Sequence, residues 1–288
     1  KKRKEGRRRQ SQKDKETGLD VSGTTTIETD TVNTSGTQTY SGAVVLGRNT
    51  TLTSSGDIIT FSNTVNSDGR TNRDLTVTTG GNTVHINFDG IVGGSQGVGA
   101  IALTGVLDLN AAIADANSLT VSGASLLDAD ITTSGTQTYS AAITLGTAAR
   151  TLEGSTIQTT TINGAQNLAI TGNLDLNGII GGSNAIGVFS VSGTSNLGAN
   201  VTTTGTQTYS GAVTLSTNAT LTSSNDNFTF SSTVDSDSST RNLTLNAGSG
   251  TIGITNAIGG NAALGTLTIT QSGGVTFSGS VNSATVTL

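Results

Sequence analysis

The chain has no cysteine, no proline, no methionine and no tryptophan, and only three tyrosines and six phenylalanines among 288 residues. Without cysteine no disulfide can staple it and no thiolate can hold a metal. Its single histidine, His85, leaves a histidine-based metal site without a second ligand of that kind. No run of about 18 apolar residues is present, so no segment reads as a membrane-spanning helix. With aromatics at 3% and hydrophobic residues at 33%, few large side chains are available to fill a wide core. A core of Val, Ile, Leu and Ala must be thin and regular.

Charged residues are also scarce, at 11%, yet the chain does not read as disordered, because disorder normally brings abundant charge or proline. Thr, Ser, Asn and 39 glycines fill it instead. Thr and Val suit strands, while Gly, Asn and Asp suit turns. Charge is segregated: the opening "KKRKEGRRRQSQKDK" carries nine of the 14 Lys and Arg residues, ahead of an acidic body. Residues 1–18 therefore read as a basic, disordered tail. No aromatic residue interleaves the basic ones, so base stacking on nucleic acid is not expected. No apolar stretch follows that would complete a secretory signal.

Repeats dominate the body. "GTQTY" begins at Gly36, Gly135 and Gly205, so the second interval is markedly shorter than the first. "FSNTVNSD" at Phe61 returns as "FSSTVDSD" at Phe230. "LDVSG", "LTVSG" and "FSVSG", at Leu19, Leu119 and Phe189, lead three unequal blocks, residues 19–118, 119–188 and 189–288. A smaller unit reads "INFDGIVGG" at Ile86, "LDLNGIIGG" at Leu174 and "IGITNAIGG" at Ile252. A degenerate copy, "LDLNAAIAD", follows the first one in tandem and begins at Leu107. A solenoid absorbs an added coil of that size by stacking it on the last one, whereas a globular repeat cannot.

Local patterning has period two. In "YSGAVTL", Tyr209, Gly211, Val213 and Leu215 share one parity; in "FTFSSTV", Phe228, Phe230 and Val234 do. Such alternation predicts strands with one buried face and one wet face. The expected fold is all-β, a right-handed parallel β-helix (β-solenoid) over residues 19–288. At about 21 residues per coil and about 4.8 Å between coils, that is roughly 13 coils on the order of 60 Å long. Tandem Ig-like β-sandwiches are the alternative, weakened by the absent Trp and the unequal repeats.

The unit "SGTQTYSGAVTL", continued by "ATLTSS", "FTFSSTV" and "IGGNAALGTLTI", resembles the repeats of filamentous-haemagglutinin-like adhesins and related autotransporter passengers. The resemblance covers roughly residues 19–288. It implies a right-handed β-helix, an extracellular or bacterial cell-surface address and a non-enzymatic role as an adhesive or stalk segment. Implied partners are host or surface glycans and proteins, with end-to-end self-association as a further option; no nucleic acid is expected. The family's Asn-Pro secretion motifs cannot be present without proline, and no C-terminal translocator barrel is apparent, so an interior piece of a larger protein is expected.

Candidate chemistry is thin. β-Helix enzymes cleave polysaccharides with paired carboxylates, and the candidates here are Asp108, Asp128, Asp130, Asp175, Asp235 and Asp237. No basic residue lies near Asp128 and Asp130, and most of the six read as turn or outward strand positions. His85, on the parity opposite Val84 and Ile86, is expected to point outward. "GGSQGVG" from Gly93 lacks the Lys and helix of a phosphate loop and reads as a solenoid corner. No cofactor or metal is expected. Thr-x-Thr triplets are common, but the same triplet recurs only once per large repeat, so an ice-binding face with a triplet at every coil is not expected. Tyr40, Tyr139 and Tyr209 are the candidate ligand contacts, as a row along one face for a polymer. The competing reading makes them partly buried, with their hydroxyls at coil corners.

Overall fold

The computed structural model describes residues 17–81 and 83–288; the basic tail, but for its last two residues, lies outside them. All described strands pair in parallel, and each pairs with strands about one turn before and after it in the chain. The result is a β-solenoid of about 13 turns, with no helix among the described residues. Parallel pairing throughout excludes the sandwich alternative, whose sheets are antiparallel.

Each turn lays down three sides. The first side starts with Leu19–Val21 and climbs through Gln38–Tyr40, Ile59–Phe61, His85–Phe88, Val106–Leu109, Ser125–Leu127 and Ile143–Leu145. The second starts with Thr25–Ile27 and the third with Thr31–Thr34. In the middle turns the corner between the second and third sides is smoothed away. There Ile113–Val121, Arg150–Thr159 and Leu168–Leu176 run as single long strands. The tandem unit read in the sequence forms two stacked turns, with Ile86 directly paired to Leu107.

Turn length varies at the corners while the short strands stay constant. Ser125 pairs with Ile143, which closes a short turn, whereas Ile59 pairs with Ile86, which closes a turn half as long again. The longer turn is accommodated partly by residues 68–74, a corner closed by the Arg73 guanidinium on the Asp68 carboxylate at 2.9 Å. The corresponding corner near the C-terminal end is closed the same way, by Arg241 on Asp237 at 2.7 Å.

Period-two patterning sets the core. Gln38–Tyr40, Val44–Leu46 and Val213–Leu215 each bury their first and third residues and leave the middle one half-exposed. One continuous apolar cluster therefore runs from Ile27 to Ile269. Burying a Val, Leu or Ile side chain fully is worth about 1.5–3 kcal/mol, so many modest residues replace a few large ones. Five of the few rings are stacked, and Phe189 meets Tyr209 edge-on. Tyr40, Phe61 and Phe88 form a file with centroids 5.2 and 5.0 Å apart, and Tyr209 lies 5.0 Å from Phe230. These separations follow the spacing of neighbouring strands.

One interior slot recurs after each Ser-Gly-Ala or related corner. It holds Val44, Ile143 and Val213 in some turns and Ser125 or Ser195 in others. Both serine hydroxyls are buried without a hydrogen-bond partner. Ser125 lies between Leu107 and Ile143 in the ladder. Ser125→Val therefore removes an unsatisfied polar atom and fills a slot that already takes valine. The expected gain is about 1 kcal/mol, measured as a raised denaturation midpoint.

Candidate functional site

The GTQTY motif builds the same buried corner three times. In the first copy the Thr34 hydroxyl donates to the Gly36 carbonyl at 2.6 Å, tightening the corner. Gln38 Nε2 donates to Thr34 Oγ1 at 3.2 Å and to the Thr53 carbonyl at 2.9 Å. Thr34 pairs with Ser54 in the ladder, so the Gln38 amide ties its own turn to the next. The Tyr40 hydroxyl then donates to Gln38 Oε1 at 3.1 Å. Gln137 repeats the contact with the Glu153 carbonyl at 2.7 Å, and Gln207 with that of Thr222 at 2.9 Å. Tyr139 and Tyr209 close on their glutamines at 2.9 and 3.0 Å.

This geometry overturns the tyrosine row as a ligand surface. Tyr40, Tyr139 and Tyr209 are 2%, 2% and 0% exposed, inside the core. Burial pushes all three hydroxyls well above the ordinary tyrosine pKa. Nor do they share a face: Gln38–Tyr40 is on the first side, Gln137–Tyr139 on the third and Gln207–Tyr209 on the second. Each hydroxyl is held inside by the buried glutamine two residues earlier in the same strand, so the rings are fully and not partly buried. The glutamine between two threonines is the residue the sequence reading missed. Its signal was its parity, which it shares with the tyrosine.

The Gly-rich corners also repeat. Gly93, Gly181 and Gly259 have φ of 74°, 72° and 66°. A Cβ on each would collide with a carbonyl oxygen of the next turn, that of Asp115, Thr202 or Asn282. Only glycine meets both demands. Just beyond, two consecutive amides converge on one side-chain oxygen of the preceding turn. Ser95 and Gln96 donate to Asn66 Oδ1, Ser183 and Asn184 to Asn163 Oδ1, and Asn261 and Ala262 to Asp235 Oδ1. The wiring is that of an anion-binding nest, but the protein supplies its own acceptor.

The candidate carboxylates are likewise engaged in holding turns together. Asp108 meets His85, which points outward and is partly exposed, and Asp175 meets Gln158 and Asn196 on the turns either side. Asp130 accepts the Thr151 amide at 2.9 Å. Asp128 accepts the Thr147 amide at 3.0 Å and faces Arg150, whose guanidinium also donates to the Leu127 carbonyl at 2.9 Å. The absence of a basic neighbour for Asp128 is thus corrected. Arg150 is distant in sequence but only one turn away in space.

Side three has no Thr-x-Thr triplet at every coil, as expected, but it aligns threonines that the repeats do not. Different Thr-containing triplets, not copies of one, align there on consecutive turns. Thr31, Thr51, Thr76, Ala102, Thr120 and Thr138 form one unbroken outward file. A cavity of about 400 Å³ at the first turn, lined by Leu19, Val21, Ile27, Val32 and Tyr40 among others, is the end of the core column.

Fold and corners together define a β-solenoid repeat protein. Comparison with protein-family models, with curated proteins and with solved structures finds no match to the chain.

Two variants test these corners. Gln207→Leu removes the amide donor from the Thr222 carbonyl and from the Thr203 hydroxyl, which keeps its bond to the Gly205 carbonyl, and leaves the buried Tyr209 hydroxyl without its acceptor. It should cost about 2–4 kcal/mol in chemical denaturation, against about 1 kcal/mol for Tyr209→Phe. Asp235 tests the nest by pH. Burial alone would raise its pKa, but the Asn261 and Ala262 amides and the Asn261 side chain outweigh that and hold it below the usual carboxylate value. A depressed native pKa gives stability that is present above the unfolded-state value of about 3.9 and lost as pH falls through the native value. The melting temperature should therefore drop in acid below about pH 4. Asp235→Asn should fold, since Asn66 and Asn163 fill the same role, and should lose part of that acid sensitivity.

Proposed function

We propose that the chain is a non-enzymatic, extracellular adhesin or stalk segment, a rod that presents a long Thr, Ser and Asn surface to glycans or host proteins. The observation that supports this reading best is the continuous core and repeated corner bracing through about 13 turns. That construction suits a stiff spacer, with contacts drawn from many weak polar positions along it. The acidic residues that a polysaccharide-cleaving β-helix would keep free to flank a sugar are here committed to neighbouring turns or, for Asp237, to closing its own corner. Five of the rings that could form a sugar platform, Tyr40, Phe61, Phe88, Tyr209 and Phe230, are stacked inside.

A glycan and matrix-protein binding array with the purified chain tests the proposal. Reproducible binding to one glycan or protein class is the expected result. Absence of binding together with filaments by electron microscopy would favour a structural fibre subunit associating end to end. Release of shortened oligosaccharides from a polysaccharide would replace the proposal with an enzyme.

A further inference from the structure

We propose that the third side of the first six turns is an ice-binding face, ordering water on two outward files made mostly of threonine. This inference stands apart from the adhesin reading. It rests on the outward file from Thr31 to Thr138 and on a second file two positions further along each strand. Asn33, Thr53, Thr78 and Thr104 are successive members of that second file, in register. Thr51 with Thr53, and Thr76 with Thr78, are complete threonine pairs on adjacent rungs.

Three features make the face a lattice and not only a polar surface. Parallel pairing fixes rungs about 4.8 Å apart, and alternate residues of a strand are about 6.7 Å apart. Threonine is β-branched and stiff at χ1, so each methyl and hydroxyl holds its place in that grid. Both spacings approximate the oxygen repeats on the prism faces of ice. Second, the hydroxyls of Thr51, Thr53, Thr76, Thr78, Thr104 and Thr120 make no hydrogen bond to protein among the described residues, and these side chains are half-exposed or exposed. They are free to bond water in the plane. Third, no ionisable residue occupies either file. Asp30, Arg48 and Asp74 stay on the flanking corner, where Asp74 is itself tied to Asn49 and Ala100. An uncharged grid matches a neutral lattice, and among the described residues no exposed aromatic ring competes to favour a sugar.

Recrystallisation of polycrystalline ice and the shape of single ice crystals, observed with the full chain, test the assignment. The wild-type chain should suppress recrystallisation and facet the crystals. Thr76→Lys and Thr53→Lys, which place a charged stem in the middle of the grid, should abolish both effects. Thr229→Lys, an outward position on the second side, should leave them intact. Melting curves of all three variants should match that of the wild-type chain, so that loss reports on the face and not on folding. Wild-type ice growth indistinguishable from that in a non-binding protein solution would overturn the proposal. So would equal activity in Thr76→Lys and wild type. Pull-down on crystalline cellulose or chitin that Thr76→Lys abolishes, without any effect on ice, would reassign the face to a polysaccharide and likewise overturn it.

Discussion

In a parallel solenoid the amides and carbonyls of every strand point along the axis, so each turn is held by the turn before and the turn after it. Strand positions satisfy this automatically through the ladder. Corners do not, because the chain changes direction there and its backbone groups would be stranded against the core. The stability of this molecule therefore depends on how its corners pass hydrogen bonds from turn to turn. The side-chain chemistry of the repeats answers that one demand.

Three devices meet it. The buried glutamine of GTQTY reaches the carbonyl of the next turn and is itself fixed by a threonine and a tyrosine hydroxyl. The Gly-rich corners turn two amides onto an Asn or Asp oxygen. Single Asn and Asp residues elsewhere form running chains, as where Asn49 caps Asp74 and Asp74 caps Ala100, or Asn218 caps Asn242 and Asn242 caps Thr266. This explains why a protein so poor in charge and aromatic rings is so rich in Asn, Gly and Thr. It also explains why the conspicuous tyrosines lie inside: each is the last member of a buried polar chain, not the first contact with a ligand.

Much of this was legible beforehand. Parity in "YSGAVTL" and "FTFSSTV" identified Tyr209, Val213, Leu215, Phe228, Phe230 and Val234 as inward, although each phrase is two strands joined by a corner, where Gly211 is half-exposed. The tandem units at Ile86 and Leu107 identified one coil stacked on another. Gln38 was hidden by reading "TQT" as a threonine triplet. Arg150 was hidden because its partner Asp128 lies a full turn away. The threonine face was hidden because its members, at positions such as 51, 76, 102 and 120, recur at no fixed interval.

What the sequence determined by itself is local and periodic: strands of alternating parity, coils of a size that three short strands require, and corners rich in Gly and Asn. What only the tertiary structure decided is phase, meaning which side of the solenoid each segment occupies. Turns of unequal length, short from Ser125 to Ile143 and long from Ile59 to Ile86, shift that phase a little at every corner. The intervals between GTQTY copies are therefore not whole numbers of turns, and successive copies come to rest on the first, third and second sides. The same drift that separates identical motifs brings unlike threonine triplets into one file. Hydrogen-bond register between turns, which no count along the chain supplies, settles both.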